Sequence, residues 1–199
     1  MKLGLFGGTF DPVHNAHLFI AEAARVELGL ERVLFLPTKN VAYRESPHVS
    51  LEDRLAMLRA AIASNPYFAI DESDLTPEAT GFTADLMPRL RTKFPSDELS
   101  FIVGGDSLLA SPWQRFEVVL ENLDAFVIAP RAERPLDPLE SLRATLPAEL
   151  AAKIVVLDLP ALAASATFIR ALLARGSSIR YIVPEPVYHY VMEHHLYGA

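Results

Sequence analysis

Six short runs rich in Leu, Ile, Val and Phe recur along the chain, at about 2–6, 32–36, 67–71, 99–104, 124–129 and 154–157. Runs that are apolar at successive positions suit strands buried on both faces. Helical patterns fill the intervals, at about 16–28, 51–63, 83–93, 114–121 and 138–145. Strand and helix in alternation make βαβ units, and these make a parallel sheet with right-handed crossovers. The expected fold is therefore α/β, a doubly wound, Rossmann-like parallel sheet. After residue 160 the pattern turns helical, at about 166–175 and 185–196 with a turn near 178–182. A small helical C-terminal part is thus expected at about 160–199. Two places disturb the alternation. Pro88, inside the third helical pattern, predicts a late start or a kink. Residues 130–138, rich in proline and charge, read as a surface loop.

The 199 residues fit one domain spanning 1–199, and 51% hydrophobic against 22% charged residues can build a substantial core. There are no cysteines, which excludes disulfides and thiolate metal sites and points to a reducing cytoplasm. No secretory signal is expected, since the apolar start is short and a glycine turn interrupts it. No run approaches the roughly 18 apolar residues of a membrane span. The net charge of −7 argues against nonspecific nucleic-acid binding.

Open sheets bind ligands beyond the carboxyl ends of their strands, near a topological switch point. At the first such end stand Gly7, Gly8, Thr9 and Phe10, then Asp11-Pro12-Val13-His14-Asn15-Ala16-His17. Adjacent glycines let the backbone approach a ligand. The helix start offers unpaired N–H groups and the positive end of its dipole, which suits phosphate. His14 and His17, three apart, share a helical face and can reach one phosphate. The competing reading packs His17 in a stripe with Ala21, Ala24 and Leu28 and leaves His14 an exposed turn residue. Two histidines without a third ligand make a weak metal site.

A second candidate is Gly104-Gly105-Asp106, after the strand residues Phe101-Ile102-Val103. Asp106 can cap a helix or bind ribose hydroxyls. A third is Ser165-Ala166-Thr167-Phe168-Ile169-Arg170, where small hydroxyl residues at a helix start precede an arginine by one turn. That is a second anion cradle, or else a capped helix with a solvated arginine. The stretch Lys39-Asn40-Val41-Ala42-Tyr43-Arg44 is a basic loop able to close over a triphosphate. Trp113 can stack on a flat ring or serve the core. His48, His189, His194 and His195 have no partner pattern and read as surface or packing residues.

The Gly7–His17 segment resembles the GGxFDPxHxGH signature of the nucleotidyltransferases related to class I aminoacyl-tRNA synthetases. It is most similar to the bacterial nicotinate mononucleotide adenylyltransferase family, and the resemblance covers nearly the whole chain. It implies AMP transfer from ATP to nicotinate mononucleotide, with Mg²⁺ as cofactor, bound mainly through substrate and not by protein ligands. It assigns catalysis to His14, His17 and Arg170. It assigns ATP binding to Gly7, Gly8, Thr9, Phe10, Asp106, Ser165, Thr167, Lys39 and Arg44. Thr38, Thr83 in Gly81-Phe82-Thr83, and Trp113 match positions that hold the mononucleotide. Ser50, Arg54 and Met57, and the segment from Pro184 to Tyr197, also look familial.

The chain departs from the family's pattern at Ala16, normally glycine, whose methyl is placed to crowd the nucleotide or shift the backbone. It departs again at Ala42 and Tyr43, where Pro and His are usual, and at Thr38, where Asn is common. Relatives acting on nicotinamide mononucleotide or phosphopantetheine, and a catalytically silent nucleotide-binding module, are the alternatives. Neither nucleic acid nor membrane is an expected partner, and association into a homo-oligomer is left open.

Overall fold

A computed structural model describes residues 1–39, 46–105, 113–130, 137–160 and 164–199. Six strands form one sheet: β1 (Lys2–Gly8), β2 (Arg32–Pro37), β3 (Phe68–Ile70), β4 (Glu98–Gly104), β5 (Ala125–Ala129) and β6 (Ile154–Val156). Their order is β3-β2-β1-β4-β5-β6, and every pairing is parallel. The chain therefore winds outward from β1 on one side, crosses back, and winds outward through β4 on the other. The switch point lies between β1 and β4, where the crevice of a doubly wound sheet opens.

Among the described residues the helices are α1 (Asn15–Glu27), α2 (Leu51–Ile62), α3 (Thr83–Lys93), α4 (Phe116–Glu121), α5 (Asp137–Ala144), α6 (Ala148–Ala151), α7 (Ala166–Leu173) and α8 (Glu185–Glu193). A 3₁₀ turn follows at Leu196–Gly198. Successive strand residues point to opposite faces, and both faces are covered. Phe6, Val33, Phe35, Ile102 and Val127 meet Ala21 and Ala24 of α1, Met57 and Leu58 of α2, Ile169 of α7 and Val187 of α8. Leu5, Leu34, Leu36, Phe101, Val103, Phe126 and Ile128 meet Met87 and Leu90 of α3 and Val119 and Leu120 of α4. This two-sided burial is why the strands read as unbroken apolar runs.

Several expectations shift. α3 starts at Thr83 and continues through Pro88, so the proline does not delay it. The short α6 follows Pro147, where the sequence reading has no element. The stretch 130–138 lies largely outside the described residues, and α5 already begins at Asp137. The last helix does not run to residue 196. It ends at Glu193, and His195 turns the chain through the left-handed region at φ 49°, with Tyr197 following at φ 59°. Among the described residues no helix is long and apolar enough to cross a membrane.

Candidate functional site

A cavity of about 590 Å³ opens at the carboxyl ends of β1 and β4. Its size lies within the usual span for small-molecule sites. Gly7, Gly8, Thr9 and Phe10 line it, with His14 and His17, Thr38, Thr83, Trp113, Ser165, Thr167 and Arg170. The sequence candidates from five separate segments thus meet in one place. Lys39 is exposed and does not line the cavity. Asp106 and Arg44 lie outside the described residues.

The glycine pair has a reason beyond ligand approach. A Cβ on Gly7 would stand 2.8 Å from the Phe101 ring, and one on Gly8 would stand 2.9 Å from the Phe10 ring. Both rings are fixed in the core, so neither can yield cheaply. Phe10 itself takes φ 51°, an uncommon value for a bulky residue. Its ring is 2% exposed and packs against Phe6, Phe35 and His17. Phe10 therefore shapes the turn from below and can offer a ligand only its backbone.

The histidine geometry differs from both sequence readings. His14 does not sit on the helix; it is the N-cap of α1 in extended conformation, φ −145° and ψ 169°. It is 2% exposed, not an exposed turn residue. Its backbone N–H donates to His17 Nδ1 at 3.2 Å. The two rings stack with centroids 3.7 Å apart and an interplanar angle of 20°. Nδ1 of His17 is thus an acceptor, so the ring proton belongs on Nε2 and that nitrogen is a donor. His17 also packs edgewise on Phe6 and Phe10, so it joins core to cavity. Ala16 is buried and does not line the cavity. Its methyl is taken up by packing.

Ser165 caps α7 by accepting the Phe168 N–H on its hydroxyl at 3.1 Å. Arg170 is not a solvated arginine. Its Nη1 donates to the Asp11 carbonyl at 2.7 Å and lies 3.9 Å from Asp11 Oδ2, and its Nη2 donates to Thr167 Oγ1 at 3.4 Å. Trp113 is half-buried and meets Phe101, Phe116 and Phe126 edge to face while lining the cavity. It serves core and cavity together.

Sequence reasoning assigned no role to the polar residues that hold the site together. Arg54 of α2 is 2% exposed and donates through Nη1 to the carbonyls of Thr9 at 2.7 Å and Thr38 at 2.9 Å. It ties the ends of β1 and β2, beside the bond from Thr38 N–H to the Gly8 carbonyl. Burial lowers the Arg54 guanidinium pKa, opposed by Asp11 and Tyr197. Asp11 is 4% exposed and accepts the Tyr197 hydroxyl on Oδ1 at 2.8 Å and the His48 backbone N–H on Oδ2 at 2.8 Å. Burial first, then Asp11, pushes the Tyr197 phenol well above its ordinary range. Asp74 lines the cavity and is 5% exposed. Burial pushes its carboxyl up to about 6, against the Thr38 hydroxyl bond and the Arg89 charge. One signal was readable: Arg54 occupies the apolar stripe of its helix, three and four residues before Met57 and Leu58.

A parallel sheet with an anion-suited turn, a helix start and paired histidines at its switch point defines a nucleotidyltransferase type of site. Residues 5–172 match the family described as Cytidylyltransferase-like, and the chain belongs to that family. A probable nicotinate-nucleotide adenylyltransferase of Lachnoclostridium phytofermentans is 38% identical over 98% of this chain and 98% of its own. One of Exiguobacterium sibiricum is 37% identical over 100% of each chain. In fold the chain is similar to Plasmodium falciparum nicotinic acid mononucleotide adenylyltransferase, solved complexed with NaAD. That likeness has a TM-score of 0.78 at 22% identity, covering 98% of this chain and 97% of that one.

Proposed function

We propose that the protein is a nicotinate-nucleotide adenylyltransferase, which moves AMP from ATP to nicotinate mononucleotide and releases deamido-NAD and pyrophosphate. The observation that carries this reading is one cavity lined by the Gly7–His17 turn, the Ser165–Arg170 helix start, and Thr83 with Trp113. Two anion cradles suit a triphosphate and an attacking phosphate, and the indole suits a pyridine ring. The full-length relatives named above support the same acceptor. The whole chain acts as one nucleotidyltransferase unit, and its lack of cysteine fits work in the cytoplasm.

An oxygen of the mononucleotide 5′-phosphate attacks the α-phosphorus of ATP. The bond from that phosphorus to the bridging oxygen breaks, and pyrophosphate leaves with the electron pair. The nucleophile is already an anion at neutral pH, so no general base is required. Catalysis is then positioning and charge stabilisation. His17 donates through Nε2 to the reacting phosphate, with His14 stacked against it and the N–H groups near Gly8–Phe10 beside it. Arg170 holds the departing pyrophosphate with the Ser165 and Thr167 hydroxyls. Thr38, Thr83 and Trp113 hold the acceptor, and Asp106 takes the ATP ribose, as the resemblance implies.

Magnesium fits this donor set as an ion that brings its own ligands. The carboxylates among the described lining residues are Asp11 and Asp74. Both Asp11 oxygens already accept protein donors, and Asp74 bonds the Thr38 hydroxyl. Phosphate oxygens and water would therefore hold the ion, which when bound neutralises triphosphate charge.

The test mixes protein, ATP and Mg²⁺ with nicotinate mononucleotide, nicotinamide mononucleotide or phosphopantetheine in turn. Deamido-NAD and pyrophosphate in equal amounts are expected with the first. ATP binding without turnover on any acceptor would make the protein a silent nucleotide-binding module.

A further inference from the structure

His48 stands two residues before the Ser50 cap of α2 and lines the cavity with His14, His17 and Arg170. Its attachment is unusual for an exposed histidine. The backbone N–H donates to Asp11 Oδ2 at 2.8 Å, and ring Nδ1 lies 3.2 Å from the same oxygen. Asp11 is itself buried, with a side chain 5% exposed and Tyr197 on its other oxygen. Two contacts on one buried atom fix the ring's place and direction. With Nδ1 committed to the carboxylate, Nε2 is the nitrogen left for a ligand.

Arg170 approaches that same carboxylate oxygen, at 3.9 Å, while its Nη1 is bonded to the Asp11 carbonyl. His48 and Arg170 therefore hang on one residue, and both line the cavity. From this geometry we propose that His48 is a further phosphate-binding residue, held by Asp11 so that Nε2–H meets the same anion as Arg170. Asp11 acts here as a positioning residue. That the anion is the triphosphate tail of ATP rests on the adenylyl-transfer reading above.

Nε2 can donate while Nδ1 also donates only when the ring carries both protons. The polar and charged groups facing the ring are Asp11, Tyr197 through Asp11, Arg170 and, further back, Arg54. His14 and His17 share the cavity, so variants must separate His48 from them.

The experiment is calorimetric titration of the whole protein with inorganic tripolyphosphate and with nicotinate mononucleotide. His48→Asn keeps a donor near the Nδ1 position for Asp11 and lacks Nε2, whereas His48→Ala loses both. Each variant is expected to bind tripolyphosphate about tenfold more weakly, as for loss of a charge-assisted hydrogen bond. Mononucleotide affinity should be unchanged, and melting temperatures should stay within about 2 °C of the parent. Wild-type affinity in His48→Asn would overturn the proposal and make His48 a clasp on Asp11. Weakening for the mononucleotide alone would overturn it too and move His48 to the acceptor side. A parent protein that binds tripolyphosphate through His48 but forms no dinucleotide would refute the reaction and leave the phosphate site standing.

Discussion

The backbone N–H of His14 donates to Nδ1 of His17, and the two imidazoles lie stacked with centroids 3.7 Å apart. One ring nitrogen of His17 thus serves the helix start, and the proposed chemistry uses the other. His17→Asn separates these duties, because its Oδ1 can replace Nδ1 as the acceptor. Turnover should fall by about 10²–10³, as for removal of an oxyanion donor. Stability should fall by no more than about 1 kcal/mol, since the cap survives. Urea unfolding and steady-state rates read the two separately. Normal turnover per folded molecule would return His17 to a packing role.

Tyr197→Phe removes the donor on Asp11 Oδ1 and leaves a buried carboxylate oxygen short of its partner. Unfolding free energy should drop by about 1–3 kcal/mol. Because Arg170 bonds the Asp11 carbonyl, the KM for ATP should rise as well. An unchanged urea midpoint would mean that water replaces the phenol at no cost.

Trp113→Ala should weaken nicotinate mononucleotide by about 0.5–1.5 kcal/mol beyond lost contact area, with ATP affinity almost unmoved. The edge contacts with Phe101, Phe116 and Phe126 mean that melting temperature should fall too. Trp113 is the single tryptophan, so its emission reports the site directly. Quenching by the mononucleotide but not by a pyridine-free ribose phosphate is the expected pattern. Emission indifferent to both would place acceptor recognition elsewhere.

Asp74 gives a pH signature. Its folded carboxyl titrates at about 6, above the ordinary value of 3.8. Between about pH 4 and about pH 6 the folded chain keeps a proton that the unfolded chain has released. Stability therefore declines as pH rises through that window. Asp74→Asn cannot titrate, so its stability relative to the parent should improve by about 2–3 kcal/mol from about pH 4 to about pH 7. Urea unfolding across that range measures the difference. A constant offset would show that Asp74 titrates normally.

The sheet was legible because both its faces are buried. Leu5 and Phe6, or Leu34 and Phe35, enter opposite cores and still leave one continuous apolar signal. The cavity-lining residues on the glycine turn and at Ser165–Arg170 were legible because the two helix starts were read together and matched a family pattern. Asp11, Arg54, His48 and Tyr197 were not read as a group. Each is polar, each answers a partner far along the chain, and no periodicity announces such a partner. The break at His195 was equally hidden, since the helical pattern runs on past Glu193 while the backbone turns Tyr197 back toward Asp11.

The bonds on Asp11 also bear on the order in which the site can come into being. Arg170 reaches the Asp11 carbonyl across 159 residues, and Tyr197 reaches its carboxylate across 186. On the ribosome the glycine turn emerges first and its fastenings last. A nascent chain that has completed β6 holds every strand of the sheet but neither of these bonds. Closing such long loops is among the slower steps open to a polypeptide. Fragments released early in synthesis would therefore carry the Gly7–Asp11 turn without its bonds to Arg170 and Tyr197.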